Sequence, residues 1–448
     1  MAKKYIERQA VVVVHGMGEQ RPMDTLRSFV NGVKSELELR HPKTEPFSTV
    51  RSKPDSIGDI YETTRLSMDQ VWHRPKTDFY EFYWAHNMRG TKFSEMTTWL
   101  GQVIFRRVSG LPPRLHKIWY TVWGLILAVL LVGGYFTFSL AGKAWLKGVA
   151  TLVAAGAIPY IFSFIGTFLK SSILNSLGDV TRYFTPEPDN IKERSNIRHQ
   201  GIEFLKKLHE IKDITRVDRI IVVAHSLGTV VSYDLLRLLW TTYNEGLNFP
   251  DSGPVAQPDL DAVDNFTKGQ PPIDAAMLED FRLAQYACWK EQRALGNQWL
   301  VTDFITLGAA VNALDYFMVT NETFDHLKTQ RELPVIPPVL DAKDHSIAYH
   351  FDFDLLTGAP KIRPKCLHHG AMFGVTRWTN IYFSSDFVGG PIQRFFGNGA
   401  KDIELKRSSP WFYPGGHTEY WNKDDANNAL GPIVDALLLD HEEDRGKI

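Results

Sequence analysis

Cysteine is nearly absent from this chain of 448 residues, which contains only Cys288 and Cys366. Two cysteines cannot build a disulfide framework, and their spacing matches no metal-binding motif, so their scarcity agrees with a reducing compartment. The chain also lacks an excess of charge, because 50 basic and 51 acidic residues leave a net charge of −1. A nearly neutral chain has no strong field that attracts nucleic acid, and we expect no nucleic-acid partner.

Sequence signatures of common cofactor sites are missing as well. The chain contains no internal repeat, no Walker phosphate-binding loop and no convincing cluster of metal ligands. We therefore expect no cofactor and no metal. An apolar signal segment is also lacking in residues 1–8, which lead almost directly into an apolar run.

The most informative segment that is present spans residues 219–229 and reads RIIVVAHSLGT. An apolar run typical of a strand ends at a serine, and the mostly apolar residues 229–239 favour a helix. Such a strand–turn–helix connection is typical of a nucleophile elbow, although a purely structural turn is the alternative for so short a motif. Small residues two before and two after the serine let the strand and the helix approach closely. The motif consists of Ala224, His225, Ser226, Leu227 and Gly228, with alanine in the place of the usual first glycine.

A second motif follows the first predicted strand. Residues 11–14 are four consecutive valines, which suit a strand that is buried on both faces of a parallel sheet. We expect the glycine-containing loop after it to form an oxyanion hole, in which the N–H of Met17 or Gly18 acts together with that of Leu227. An ordinary glycine turn is the alternative. The loop begins with His15, Gly16, Met17 and Gly18.

With these two motifs and two C-terminal segments, the sequence resembles an α/β-hydrolase of the lipase and esterase type. The resemblance covers the hydrolase core and excludes the middle of the chain. It implies an α/β fold with a mostly parallel central sheet flanked by helices. It also implies a catalytic triad in the chain order serine, acid, histidine. In this interpretation His15 and His225 support the site by hydrogen bonding.

Candidates for the acid and the histidine lie in the two C-terminal segments. Asp386 ends a β-like run and precedes a glycine turn, which is where an acid that orients the catalytic histidine belongs. His417 lies on a loop behind two glycines and is the predicted general base. The predicted triad is therefore Ser226, Asp386 and His417. Asp315 is the alternative acid, because it follows another predicted strand.

Charge is missing from two long runs, residues 118–142 and residues 148–169. At about 1.5 Å per helical residue, each run could cross a hydrocarbon core of about 30 Å. The two runs predict a multi-pass membrane hairpin of two helices, with the lipid bilayer as partner and a surface for homo-oligomerisation. The flanking positive charges place both termini and the catalytic domain in the cytoplasm. Buried or cap-like apolar helices, and a hairpin within one leaflet, are the alternatives.

These patterns predict a hydrolase core that is interrupted by an insertion. Residues 1–89 form the first part of the core with the oxyanion loop, and residues 90–185 form the membrane-hairpin insertion. Residues 186–448 form the second part, which contains the elbow, the acid and the histidine. Within this part, cap-like insertions are predicted near residues 244–300 and residues 328–365, where proline is frequent.

The predicted function is that of a membrane-anchored serine hydrolase. It cleaves an acyl ester through an acyl-enzyme intermediate, and the membrane location favours a lipid or another lipophilic ester as substrate. The same triad would serve an amidase, a thioesterase or an acyltransferase. A hydrolase fold that acts as a non-catalytic membrane scaffold is a further alternative.

Overall fold

The fold is taken from a computed structural model of the chain, which divides into two compact units. One unit comprises residues 1–87, 187–408 and 415–448, and the other comprises residues 88–186 and 409–414. The predicted insertion, residues 90–185, falls within the second unit. The structure describes isolated positions between 107 and 183 and residues 6–16, 21–41, 50–55, 57–58, 62–70, 74–87, 188–213, 215–244, 255–269, 273–310, 321–349, 364–386, 388–406, 416–423 and 428–439.

The strands and helices given below all belong to the first unit. The strands are β1 (Arg8–Val14), β2 (Arg51–Pro54), β3 (Thr64–Met68), β4 (Lys76–Phe82), β5 (Arg219–His225), β6 (Val301–Leu307), β7 (Ala348–Tyr349), β8 (Cys366–Leu367), β9 (Arg377–Phe383) and β10 (Lys401–Leu405). The helices are α1 (Asp24–Arg40), α2 (Pro188–Glu210), α3 (Leu227–Tyr243), α4 (Pro258–Lys268), α5 (Leu278–Ala294), α6 (Asn321–Thr329), α7 (Gln393–Phe396) and α8 (Leu430–Ala436). Short 3₁₀ turns lie at Ala85–Asn87 and Met372–Gly374.

Eight strands form one mostly parallel sheet in the order β10-β9-β6-β5-β1-β4-β3-β2. Neighbours from β10 through β4 pair in parallel, whereas β3 and β2 are antiparallel at one edge. The predicted α/β architecture with a large parallel sheet flanked by helices is thus confirmed. A separate antiparallel pair joins β7 to β8.

The valine run explains why β1 lies in the middle of the sheet. Successive side chains of a strand point to opposite faces, so a run without polar residues requires apolar packing on both sides. Val11 and Val13 belong to a buried cluster that includes residues of α1 and α8. On the other face, Val12 and Val14 line a small cavity together with residues of α2 and α3. Helices on both faces therefore keep β1 out of water.

The chain order of the strands makes the carboxyl ends of the central strands the usual position for a ligand. β1 lies between β4 and β5, so the chain runs outward from β1 in both directions. In open parallel sheets, ligands bind beyond the carboxyl ends of the strands at such a switch point. Residues beyond the carboxyl ends of four strands come together here: Gly16 after β1, Ser226 after β5, Gly308 after β6 and Asp386 after β9.

The structure corrects the predicted membrane localisation. Among the residues that it describes, no helix is both long enough and apolar enough to cross a bilayer. A span needs about 20 predominantly apolar residues. The 23-residue α2 carries many charges, and the apolar α3 has 17 residues, most of them buried within the unit. The prediction of a multi-pass membrane protein with its catalytic domain and both termini in the cytoplasm is therefore wrong.

The two uncharged runs lie almost entirely outside the described residues. This applies to all of residues 148–169 and to most of residues 118–142. In the latter run the structure describes helical positions only at Trp119, Tyr120, Trp123, Gly124, Leu127 and Leu131.

Candidate active site

Ser226 lies on the sharp turn between β5 and α3. Its backbone has φ 53° and ψ −129°, a combination that L-residues rarely adopt and that costs on the order of 1–3 kcal/mol. Two neighbours hold the turn: the Ser226 N–H donates to the Leu307 carbonyl at 3.1 Å, and the Thr229 N–H donates to the Ser226 carbonyl at 3.0 Å. The segment predicted as a nucleophile elbow thus has a strained serine between a strand and a helix.

Two glycines allow other chain segments to approach this turn. A Cβ atom on Gly228 would lie 2.6 Å from the Val14 carbonyl oxygen and even closer to that of His15. A Cβ atom on Gly16 would lie 2.8 Å from the Cβ of Ser226. Both distances are too short for real atoms, so glycine is required where α3 and the loop after β1 meet the serine. Ala224, the residue that departs from the usual motif, is fully buried in β5.

The three predicted triad residues form a continuous chain of hydrogen bonds. His417 Nε2 lies 2.8 Å from Ser226 Oγ, and His417 Nδ1 lies 2.9 Å from Asp386 Oδ2 and 3.1 Å from Asp386 Oδ1. A carboxylate can only accept, so the Nδ1 proton points to Asp386 and Nε2 is left to accept the serine proton. All three side chains are buried. The arrangement has the order and the distances of a serine, base and acid triad.

Asp386 is held as a carboxylate by several donors. Tyr420 donates its hydroxyl to Oδ2 at 2.7 Å, and the Val388 N–H donates to Oδ1 at 2.9 Å. Burial by itself raises the pKa of this carboxyl, but His417, Tyr420 and the amide of Gly389 outweigh it. Together they hold the pKa of Asp386 well below its usual range, so the acid stays ionised at neutral pH.

Sequence reasoning missed three residues around Asp386. Tyr420 lies on the same turn as His417, three positions later, and this spacing is the signal that could have identified it. Gly308 and Gly389 enclose the carboxylate: a Cβ atom on either would lie within 2.8 Å of Asp386 Oδ2. Gly308 also has φ +55°, a left-handed conformation that favours glycine.

His15 supports the loop after β1 as a neutral ring. Its Nδ1 donates to the Gly16 carbonyl at 2.7 Å, and its Nε2 accepts the Trp84 N–H at 3.2 Å. The Trp84 ring stacks on the imidazole with centroids 5.2 Å apart. Burial lowers the pKa of His15 to about 4, so this ring is neutral at pH 7. Its hydrogen bonds join the loop after β1 to Trp84.

His225 connects the nucleophile turn to the loop of the base. Its Nε2 lies 2.5 Å from the backbone carbonyl of His417, and this oxygen can only accept. Burial, followed by the nearby His417, lowers the pKa of His225 to about 3. A neutral His225 places no second positive charge beside the base. The end of β5 and the turn after it therefore contact His417 at two points, since Ser226 meets its ring and His225 meets its backbone carbonyl.

Acidification is expected to destabilise the fold through its buried histidines. His368 resembles His15, because its Nε2 donates to the Val339 carbonyl at 2.7 Å and its Nδ1 accepts the Gly370 N–H at 3.1 Å. Burial lowers the pKa of both rings to about 4. The unfolded chain binds these protons near pH 6.5, so stability is lost as the pH falls from about 6.5 to about 4. The loss is about 3 kcal/mol for each ring.

The free energy of unfolding in urea, measured over this pH range, checks this expectation. His368→Gln keeps a donor and an acceptor, and we expect it to lose less stability on acidification than the parent. His326→Gln, which changes an exposed histidine on α6, is the matched control and should lose as much as the parent. A parent with the same unfolding free energy at about pH 6.5 and about pH 4.5 would contradict the prediction.

The predicted oxyanion donors are only partly described. Met17 and Gly18 lie outside the described residues. Leu227 is the first residue of α3, and the first N–H groups of a helix have no acceptor within that helix. Its amide is therefore placed next to Ser226, at the positive end of the helix dipole, where a developing oxyanion would be stabilised.

Two other aspartates that lie in or after β6 were considered beside Asp386: Asp303 within the strand and the alternative acid Asp315 beyond it. Asp303 forms a buried bidentate ion pair with Arg377, with both N–O distances at 2.8 Å. Asp303 is the third residue of β6 and lies away from the carboxyl end of this strand. Asp315 lies outside the described residues. Asp386, in contrast, hydrogen-bonds His417 Nδ1.

Comparisons of the chain with protein-family models, with curated proteins and with solved structures returned no match.

Proposed function

We propose that this protein is a serine hydrolase of the α/β-hydrolase type that cleaves carboxylic esters through an acyl-enzyme. One observation carries the proposal: the unbroken hydrogen-bond chain from Asp386 through His417 to Ser226 Oγ. Its position beyond the carboxyl ends of β5 and β9, at the switch point of the sheet, supports the same conclusion.

In the first half of the reaction, Ser226 Oγ attacks the acyl carbon. His417 Nε2 takes the serine proton and then gives it to the leaving alcohol. Asp386 remains ionised, holds the Nδ1 proton and stabilises the imidazolium. The bond from Oγ to the acyl carbon forms as the bond from that carbon to the alcohol oxygen breaks.

In the second half, water attacks the acyl-enzyme. His417 accepts a proton from this water and returns it to Ser226 Oγ, which releases the carboxylic acid and restores the free enzyme. The negative oxygen that develops in both halves would be stabilised by the Leu227 amide and by the loop after Gly16. Each such donor is worth about 3–4 kcal/mol in the transition state.

The lipophilic substrate was predicted from the membrane hairpin, which no described helix supports, so the proposed function does not include it. What supports an ester over other acyl compounds is the resemblance to lipases and esterases. The same triad can attack amides and thioesters, and fold analogy alone decides poorly between these reactions. The test must therefore compare leaving groups directly.

Labelling by a fluorophosphonate probe tests the proposal on the full chain. We expect one probe per protein, attached to Ser226 in the peptide map. We also expect turnover of p-nitrophenyl esters that exceeds turnover of the matching p-nitroanilides and thioesters. An unlabelled protein, or a label at another residue, would overturn the proposal. Faster turnover of the anilides or thioesters would agree with the triad and would overturn the proposed preference for esters.

A further inference from the structure

Tyr420 contacts the acid of the candidate triad through its side-chain hydroxyl. Its O–H has a single proton, which it donates to Asp386 Oδ2 at 2.7 Å. The hydroxyl oxygen of Tyr420 also accepts the Phe383 N–H at 3.3 Å. Because a phenol has one donor and accepts with its lone pairs, these two contacts fix the direction of the O–H.

The oxygen that receives this proton has little room to move. Asp386 Oδ2 accepts from Tyr420 on one side and lies 2.9 Å from His417 Nδ1 on another. The backbones of Gly308 and Gly389 close the remaining sides, since a Cβ atom on either would lie within 2.8 Å of it. The carboxylate is therefore held by close contacts and by two donors at the same oxygen.

The hydroxyl also connects the acid to the segment that carries the base. Tyr420 and His417 belong to one turn, and the carbonyl of Tyr420 accepts the Ala429 N–H at 2.8 Å. The Tyr420 ring packs on Phe383, the last residue of β9, with centroids 4.6 Å apart. Asp386 follows β9 by three residues, so one side chain spans the turn of the base and the strand end of the acid.

We propose that Tyr420 is a positioning residue of the triad, whose hydroxyl fixes Asp386 Oδ2 and thereby keeps the carboxylate aimed at His417 Nδ1. The inference rests on the proposed function. Tyr420 acts on the histidine and the serine through Asp386. Loss of the hydroxyl removes one hydrogen-bond donor from Asp386. The carboxylate then attracts the Nδ1 proton of His417 more strongly, and its orientation is held less firmly.

Tyr420→Phe in the full chain tests this inference by removing one oxygen and keeping the buried ring. The readout is the second-order rate at which a fluorophosphonate probe labels Ser226, measured between about pH 6 and pH 9. We expect the plateau rate to fall about tenfold, because the histidine is less well oriented. We expect the pH midpoint of labelling to rise by about half a unit, because a less solvated carboxylate favours proton binding by the triad.

Tyr233→Phe is the matched control. Tyr233 is also buried, and its hydroxyl donates to the Pro334 carbonyl at 2.7 Å rather than to a residue of the triad. We expect its labelling rate and midpoint to stay within about twofold of the parent, even if thermal unfolding shows a similar loss of stability in both variants.

The outcomes separate the two proposals. A parent that is not labelled at Ser226 overturns the serine hydrolase itself. A labelled parent together with a Tyr420→Phe variant that matches it in rate and midpoint overturns only the role of Tyr420. A slower variant with an unmoved midpoint also overturns that role, because it would indicate a general loss of packing.

Discussion

Replacing Ser226 by alanine is expected to abolish probe labelling and to lower kcat for p-nitrophenyl butyrate by about 10⁶-fold. Removal of the nucleophile of a serine triad alone costs about this much, since the histidine and the acid then have no hydroxyl to activate. Ser226 Oγ lies 2.8 Å from His417 Nε2, so the substitution removes the atom that would form the acyl-enzyme. KM should change little, because the lost oxygen contributes mainly to the transition state.

Ser232→Ala is the control for this substitution. Ser232 is buried in the same helix, α3, so its loss tests whether any serine-to-alanine change in this region inactivates the protein. We expect Ser232→Ala to retain the kcat and labelling of the parent within about twofold. Equal activity in Ser226→Ala and the parent would assign the hydrolysis to another residue or to a contaminant.

Much of the sheet follows from local sequence patterns. The valine run of residues 11–14 indicates a strand buried on both faces, and β1 is such a strand, with helices on either side. The apolar run before Ser226 indicates a second parallel strand, and it pairs with β1 along its length. Period and side-chain branching are short-range properties, so a few neighbouring residues carry the information.

The contacts that complete the site depend on distant residues, and local patterns do not predict them. His225 and the His417 carbonyl are 192 positions apart in the chain, and Tyr420 and Asp386 are 34 apart. Chemistry limits each predicted residue to a role, such as acid or base. Only the folded backbone decides which side chain lies within hydrogen-bond distance of it. Chain order and residue type predicted three residues that the structure joins by hydrogen bonds, and two of them, Ser226 and Asp386, follow the ends of β5 and β9.

The membrane prediction rested on hydropathy, which alone does not distinguish a bilayer from a protein interior. An uncharged apolar run suits a bilayer and suits the dry interior of a protein, because neither environment supplies water to a charged group. α3 illustrates this, since it is apolar over most of its length and its buried residues face protein. Hydropathy measures the preference to leave water, and it does not identify what replaces the water.

Replacing Asp386 by asparagine is expected to lower kcat by about 10⁴-fold and to leave KM within a few-fold of the parent. The amide loses the charge that stabilises the imidazolium, and its NH₂ group favours the histidine tautomer that cannot accept the serine proton. Its surroundings are built for two accepting oxygens, since Tyr420 and Val388 both donate to the carboxylate. One of these donors would face the NH₂ group, so a loss of stability should accompany the loss of rate.

Asp402→Asn is the matched control for that loss of stability. Asp402 also accepts backbone and side-chain N–H groups, from Ile392, Gln393 and Asn380, and it lies on β10 outside the triad. We expect Asp402→Asn to lower the unfolding free energy and to retain the kcat of the parent. A similar kcat in Asp386→Asn and Asp402→Asn would remove Asp386 from the mechanism.

The double variant Ser226→Ala with Asp386→Asn distinguishes a triad from two independent contributions. If the acid acts only by orienting His417 toward Ser226, its loss has no further effect once the serine hydroxyl is gone. We therefore expect the double variant to retain the same residual hydrolysis as Ser226→Ala alone, within about threefold. A further loss of about 10⁴-fold would show that Asp386 promotes hydrolysis without the serine, for example by acting on water.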